Sequence, residues 1–320
     1  MELYIEGIAY YVYPVLITLI IIEYFSAKHL YNLKESLSSF TIAAVSSLIA
    51  VFTKVWALGV FILVFEFSKE FRMEYLGYES LDWAWYVWLV AIIADDFSFY
   101  WHHRLSHSIR ILWAAHSPHH NADSFNLSVG IRNGWFVTFY KPVFWLWMAI
   151  IGFEPVMIAM ALIFNGIFQF FLHSQLVPSL GWIGRIINNA YVHTVHHSSN
   201  IEYLDKNHGG ILLIWDRIFG TYVHPIKGLE NKFGVLKPPT SLNPITANTY
   251  EFTCIWKDVN QAPTWKDKLK YIFYPPGWSH DGSTLTVRQM QAAHAAKIAM
   301  MDEKKSEVLI ERDYLERMAG

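Results

Sequence analysis

The chain has 320 residues, of which 53% are hydrophobic and 17% aromatic, and its mean hydropathy of +0.23 is too high for an ordinary soluble domain. Its formal net charge of −2 offers no basic surface to neutralise phosphates, which excludes a nucleic-acid partner. The single cysteine, Cys254, excludes an internal disulfide, an iron–sulfur cluster and a c-type haem, so electrons for any redox reaction must come from outside the chain.

Apolar stretches in the first hundred residues predict three membrane-spanning helices. Residues 8–25 have about the spanning length, and because no basic signal-peptide segment precedes them we expect this stretch to be retained as an anchor. Residues 37–67 are too few for two spans, which favours one long helix over a shallow hairpin. Residues 83–101 form the third span. Lys28 and Lys34 place the end of the first span, and with it the end of the third, in the cytoplasm.

Two further apolar stretches, 135–151 and 155–172, predict a helical hairpin that leaves the cytoplasmic side and returns to it after a turn at 152–155. Beyond residue 222, pairs of Pro and Gly indicate loops with short ordered pieces. A charged amphipathic pattern from Thr286 onward predicts a soluble tail helix. Together these elements predict an all-α fold, a polytopic helical membrane protein with a cytoplasmic histidine-rich di-metal domain.

Histidines are concentrated in one third of the chain, where they form three boxes. One box has the pattern H-x3-H and two have the pattern H-x2-HH: His103 and His107; His116, His119 and His120; His193, His196 and His197. On a helix, residues three or four apart share a face, so each box can present several imidazoles to one metal ion. A single H-x3-H is weak evidence, but three boxes on one chain have no packing explanation. Eight neutral imidazoles indicate two transition-metal ions with four ligands each, which leaves the open position that catalysis requires.

Four further residues lie beside the boxes. Asp96 stands two helical turns before His103 and is expected either to orient a ligand imidazole or to lie among lipid headgroups. His102 points about 100 degrees away from His103 on a helix, so we expect it not to be a ligand. His173 ends an apolar stretch on the metal side and is favoured as a ligand over an interfacial helix cap. His208 is either an additional ligand or a loop residue.

With these residues in view, the chain resembles the fatty acid hydroxylase and sterol desaturase superfamily of membrane di-iron enzymes, and within it the alkylglycerol monooxygenases. The matching stretches are DFSFYWHHRLSH at 96–107, LWAAHSPHHNADSFNLSVGIR at 112–132, QFFLH at 169–173, and 188–222, which contains HTVHH and YLDKNHGGILLIWDRIFGTY. The resemblance implies that the eight box histidines and His173 bind two ferrous ions. His208 departs from the family pattern, in which an aromatic residue commonly precedes the Gly-Gly pair, so it is either an extra ligand or a polar neighbour of the ligands.

The resemblance also implies three regions and an activity. The regions are an N-terminal transmembrane region at 1–83, a catalytic domain at 84–222 and a cytoplasmic C-terminal region at 223–320. The implied enzyme uses O2 to hydroxylate an unactivated C–H bond of a lipid taken from the bilayer, as in alkylglycerol cleavage beside an ether oxygen. Its external reductant is either tetrahydrobiopterin or an electron-transfer protein that acts as a redox partner. A lipid or sterol desaturase with the same metals is the alternative.

A membrane metal transporter or metal-binding protein is the alternative from another functional class. Transporters place their ligands near the bilayer midplane on broken helices, whereas these boxes follow the predicted spans or lie in polar segments. A zinc protease is disfavoured because no H-E-x-x-H motif occurs. The sequence therefore favours a multi-pass membrane oxygenase with every histidine box facing the cytoplasm.

Overall fold

The computed structural model describes residues 2–318, with side chains described for 11–301 and 303. This part of the chain is helical without a strand, and an isolated β-bridge joins Ile187 to Leu212, which confirms the all-α prediction there. The helices of seven or more residues in it are α1 (Glu2–Ser26), α2 (Leu33–Phe67), α3 (Trp85–Ser108), α4 (Arg110–His120), α5 (Pro155–Phe171), α6 (Ala190–His196), α7 (Pro244–Gln261), α8 (Trp265–Phe273) and α9 (Val287–Met318). Shorter helical turns cover Lys28–Leu30, Lys69–Phe71, Arg72–Leu76, Leu127–Gly130, Val137–Tyr140, Lys141–Trp145, Leu146–Ile150, Ile183–Arg185 and Ile214–Ile218.

Helix α2 runs without interruption over 35 residues, which confirms one long helix in place of a hairpin. The Asn32 side chain caps its start by accepting hydrogen bonds from the backbone N–H groups of Lys34 and Glu35. Among the described residues, α2 is the helix long and apolar enough to cross a membrane, while Tyr11–Ser26 and Pro155–Phe171 are shorter apolar helices. The multi-pass topology and the cytoplasmic orientation stay predictions.

The predicted spanning helix at 135–151 is wrong as a single element. The chain there forms three short pieces, because a 3-10 segment at Lys141–Trp145 separates two α-helical turns. Pro142 lies in that segment, and its missing N–H and fixed ring interrupt α-helical hydrogen bonding. The turn that follows is confirmed. Gly152 adopts φ +99 in it and its carbonyl accepts a hydrogen bond from the Leu81 N–H.

The apolar core and the histidines occupy opposite ends of the helix bundle. Phe61 and Phe65 near the end of α2 pack with Ala91 near the start of α3 and with Met157 near the start of α5. Helix α3 therefore enters through the apolar core and carries the histidines of the first box, His103 and His107, at its other end. The ends of α1, α3 and α5 and the start of α2 consequently meet at the histidine end of the molecule.

The C-terminal region is more helical than expected. Instead of loops with short pieces, it contains the 18-residue helix α7, which Asn243 and Pro244 start with a side-chain cap and a proline in the first turn. Arg110 at the start of α4 fastens α7 through Glu251 at 2.8 Å and Asp258 at 2.6 Å. The predicted tail helix is confirmed as α9, although most side chains of its charged run at 302–305 lie outside the described residues.

Candidate metal centre

Four chain segments converge to place nine buried histidines in two adjoining groups. Helix α3 carries the first box, α4 the second and α6 the third, while the chain after α5 contributes a single imidazole. The first cluster consists of His103, His107, His116, His120 and His196. The second cluster consists of His119, His173, His193 and His197. All nine predicted ligands are therefore brought together, divided five and four; the expectation from eight ligands was four and four.

Helical spacing explains how the second and third boxes are shared between the two clusters. His116 and His120 are four residues apart, so they project from one face of α4, and both enter the first cluster. His119 projects to the side and enters the second cluster. In the third box the pair four apart, His193 and His197, enters the second cluster. Each H-x2-HH box thus serves both metal positions.

The distances between imidazoles are those of ligands that share an ion. In the second cluster, Nε2 of His173 lies 3.1 Å from Nε2 of His119, 3.1 Å from that of His197 and 3.3 Å from that of His193. Nitrogen ligands about 2.0–2.2 Å from one ion lie roughly 2.8–3.6 Å apart at octahedral or tetrahedral angles. One N–H on His173 could satisfy only one of these three neighbours. The spacing therefore fits a bound cation.

The positions of the ring protons of His119 and His173 are stronger evidence for a bound cation. Nδ1 of His119 lies 3.0 Å from the Arg132 carbonyl, and Nδ1 of His173 lies 2.8 Å from the Gln169 carbonyl. Because a carbonyl can only accept, both Nδ1 atoms carry the proton, and both Nε2 atoms of the neutral rings bear lone pairs. Those two lone pairs face each other at 3.1 Å. Such an arrangement is repulsive unless a cation lies between them.

Burial keeps these imidazoles neutral. It lowers the pKa of His119 to about 4 and holds the pKa values of His116, His120 and His197 well below the ordinary value, with neighbouring imidazoles acting in the same direction. Neutral imidazole is the form that binds metal. In the first cluster, Nε2 of His107 is buried and has no hydrogen-bond partner among the described atoms, which also fits a metal ligand.

A single segment, 205–208, orients two imidazoles of the first cluster and places a carboxylate beside a third. The Lys206 carbonyl accepts from Nδ1 of His196 at 2.8 Å, and the His208 carbonyl accepts from Nδ1 of His103 at 3.0 Å. The Asp205 carboxylate lies 3.5 Å from Nδ1 of His107. Hydrogen bonds of this kind fix the ring orientation and the tautomer of a metal ligand. The sequence showed only that this segment lies near the last box, and its contacts were not foreseen.

Two fully buried carboxylates hold that segment in place. Asp216 accepts from the backbone N–H groups of His208 at 2.8 Å and Gly209 at 2.7 Å. Beyond Gly210, Asp96 accepts from the N–H groups of residues 211 and 212 and from the indole of Trp215. A Cβ atom on Gly210 would lie 2.5 Å from the Asp96 carboxylate, so the Gly-Gly pair is required for this close approach.

These contacts correct the expectation for Asp96. Its carboxylate bonds no imidazole, and it lies inside the protein and not among headgroups. The physical reason is that α3 turns this side chain toward the chain that returns after the last box, whose backbone N–H groups need acceptors. Asp96 therefore acts on the metal ligands through the chain that follows His208.

The two remaining candidates lie beside the clusters. The His208 ring is 5.1 Å from that of His107 and 5.6 Å from that of His196, measured between centroids, and lies outside both clusters. Its two ring nitrogens are buried without a hydrogen-bond partner among the described atoms. His102 also lies outside both clusters and stacks on Tyr140 at 5.5 Å, as expected for a residue that is not a ligand.

Arg132 is an organising residue that sequence reasoning missed. It is 1% exposed, its Nε donates to the Pro118 carbonyl at 2.7 Å, and one terminal nitrogen donates to the Asn121 side chain at 2.6 Å. Its own carbonyl accepts from His119. Arg132 thereby contacts the second box at Pro118 and His119 and also contacts Asn121, the residue that follows the box. An arginine inside an otherwise uncharged segment was the available signal, because a buried guanidinium needs several acceptors.

Comparison with known proteins gives consistent matches. A sequence model of the family described as fatty acid hydroxylase matches residues 88–221. The chain is 32% identical to alkylglycerol monooxygenase from Homo sapiens over 250 residues, which are 77% of this chain and 53% of that protein. It is 32% identical to alkylglycerol monooxygenase from Xenopus tropicalis over 210 residues, 66% of this chain and 46% of that protein. It is 27% identical to ornithine lipid hydroxylase from Rhizobium tropici over 172 residues, 50% of each. The chain spans about half the length of these relatives, and no solved structure matches it.

Proposed function

We propose that the protein is a membrane-bound di-iron oxygenase that hydroxylates a lipid, because a sequence model of the fatty acid hydroxylase family matches residues 88–221. The observation that carries the proposal is the pair of Nε2 lone pairs of His119 and His173 that face each other at 3.1 Å. Imidazole nitrogen suits iron, and nine such ligands exceed what one ion can use. We therefore propose one ion for each cluster.

Two ferrous ions would supply the activation of O2 and the removal of hydrogen from an unactivated C–H bond. The protein's own contribution is to orient the ligands and to keep water away. Its nine imidazoles are each at most 8% exposed, and backbone carbonyls fix the tautomers of four of them. A dry, rigid site strengthens electrostatic interactions and protects a reactive centre from side reactions.

Helix α2 and the apolar helix α5 support a membrane location for the substrate. Phe52, Leu63 and Phe67 of α2 are each at least 70% exposed, as expected for side chains that face lipid tails. The ends of the helices bring the nine histidines of the two clusters together, and we propose that they face the cytoplasm. By likeness to the alkylglycerol monooxygenases it matches, we propose that the attacked carbon lies beside an ether oxygen. Electrons would come from tetrahydrobiopterin or a redox protein, since the chain has one cysteine.

The test measures metal and turnover in the same preparations. Detergent-purified protein is loaded anaerobically with ferrous iron, and iron per chain is measured by mass spectrometry. O2 consumption is then followed with an alkylglycerol and tetrahydrobiopterin, and the lipid products are identified. We expect about two irons per chain and a hydroxylated lipid, because the nine ligands divide into two groups.

Variants assign both readouts to the clusters. His119→Ala and His196→Ala each remove one ligand and should lose metal and turnover together. His224→Ala, at an exposed histidine outside both clusters, is the matched control and should retain both. Full turnover in either cluster variant would refute the di-iron proposal. A desaturated lipid product would show that the reaction is desaturation and not the proposed hydroxylation. Metal uptake without O2 consumption would favour a metal-binding or transport protein.

A further inference from the structure

Two buried glutamates on the N-terminal helices lie outside the residues that match the family. Glu23 is on α1 and Glu35 is on α2, and each is 3% exposed. Burying a carboxylate is costly unless its oxygens accept several hydrogen bonds. Apart from Tyr31, which bonds Glu23, the partners of both side chains lie in the segments that follow the second histidine box and His173.

Glu23 joins two separate parts of the histidine end. One of its oxygens accepts from the Leu127 N–H at 2.7 Å and from the Tyr31 hydroxyl at 2.5 Å. The other accepts from the hydroxyl of Ser174, the residue directly after His173. A single side chain of α1 therefore links the loop after the second box to the segment that carries the ligand His173.

Glu35 holds the same loop four residues earlier. Its two oxygens accept from the backbone N–H groups of Asp123 at 3.0 Å and Ser124 at 2.9 Å, and also from the Ser124 hydroxyl at 2.5 Å. The Asn126 side chain adds a hydrogen bond to the carbonyl of Leu30, in the turn between α1 and α2. Residues 123–127 are thus fastened to both N-terminal helices.

The fastened loop borders the second cluster. Phe125 lies in it, and its ring is 5.0 Å from that of His197 and 5.6 Å from that of His173. The first cluster is oriented differently, by the segment 205–208. No contact described for Glu23 or Glu35 reaches that segment.

We propose that Glu23 and Glu35 are positioning residues for the metal ion of the second cluster alone. The N-terminal helices then contribute to the metal centre and not only to the membrane anchor. This inference rests on the proposed metal centre. Loss of a side chain that orients metal ligands weakens metal binding about 10–100-fold, so the second ion should be lost first under competition with a chelator.

The geometry distinguishes two conservative variants. At Glu35 both oxygens face backbone N–H donors, so Glu35→Gln must turn its amide N–H toward one of them and lose that hydrogen bond. At Glu23 one oxygen faces the Ser174 hydroxyl, which can accept from an amide. Glu23→Gln should therefore retain the contacts, whereas Glu23→Ala removes them.

The experiment titrates a chelator against metal-loaded protein and counts the metal ions that remain on each chain. Wild type, Glu23→Gln and the control Glu66→Gln, at an exposed position of α2, should hold about two ions at a chelator concentration where Glu35→Gln and Glu23→Ala hold about one. Melting of the metal-free variants is measured in parallel, because general destabilisation would release both ions and lower every midpoint.

Double variants identify which ion is lost. Adding Glu35→Gln to His119→Ala should still leave about one ion, since both changes act on the second cluster. Adding it to His107→Ala should leave about none, because that change acts on the first cluster. Wild type with fewer than two ions would overturn the proposed metal centre. Wild type with two ions, together with Glu35→Gln and Glu23→Ala that lose neither or both, would overturn this inference.

Discussion

Replacing Asp96 by asparagine removes one acceptor from a fully buried group that serves three donors. The carboxylate accepts from the N–H of Ile211 at 2.5 Å, from the N–H of Leu212 at 2.9 Å and from the indole of Trp215 at 3.0 Å. Asparagine placed with its oxygen toward Leu212 and Trp215 turns its own amide N–H toward the Ile211 N–H. Two buried donors then have no acceptor.

The size of the effect follows from those two donors. An unsatisfied buried donor costs about 1–3 kcal/mol, so the variant should lose about 2–6 kcal/mol of the free energy of unfolding. For a chain of this size, 1 kcal/mol changes the melting midpoint by about 2–4 °C. We therefore expect a decrease of at least about 4 °C. The segment that holds His103 should also loosen, which weakens metal binding by the first cluster about 10–100-fold.

Asp95 provides a matched control on the same helix, since it is also buried. Its oxygens accept from the indole of Trp145 and from the side-chain amide of Asn165, both at 2.7 Å. The Asn165 oxygen accepts from the half-buried Gln169 amide, so Asp95→Asn can keep both hydrogen bonds if the amides of Asn165 and Gln169 turn together. We expect it to cost less than about 1 kcal/mol.

Both variants are compared with wild type by thermal melting in the same detergent, first without metal and then with iron. The reasoning is refuted if Asp96→Asn and Asp95→Asn melt at the same temperature. It is also refuted if Asp96→Asn melts early but binds iron as tightly as wild type, because Asp96 holds the chain that follows His208, and the His208 carbonyl orients His103.

Three further predictions concern the ligands, the topology and the pH. His173→Ala should abolish turnover even if some metal remains, whereas His208→Tyr should keep both irons and lose about 10–100-fold in rate. The reverse result would mean that the ninth ligand is assigned to the wrong residue. Reporters at Ser124 and Ser198 should share the cytoplasmic side, and one at Glu79 should lie opposite. Because Ser198 is buried, its reporter is a cysteine at the neighbouring, half-buried Ser199. Ser124 and Ser198 on opposite sides would contradict a shared metal site. Metal-free protein should melt at a lower temperature at pH 5 than at pH 7. The reason is that burial lowers the pKa values of the imidazoles, so between about pH 6.5 and 4 the unfolded chain takes up protons that the folded chain does not. An unchanged melting midpoint would contradict the neutral burial of these imidazoles.

The sequence predicted the components of the site well because their signals are local. Box spacing follows from the helical repeat, so the eight box histidines needed no tertiary information. The apolar length of α2 and the Gly152 turn are likewise properties of short segments. The segment at 135–151 failed because hydrophobicity alone carried the prediction, and Pro142 interrupts the helix there.

What only the tertiary structure decided is which side chains share an ion and what holds them. Helical spacing says that His116 and His120 project together, but it cannot say that His196 from another helix joins them or that His119 joins His173. The four carboxylates Glu23, Glu35, Asp96 and Asp216 have no sequence spacing to their partners, since each accepts backbone N–H groups of a distant or irregular segment. A backbone N–H is the same at every residue other than proline, so the sequence does not mark which one will need an acceptor until the chain has folded.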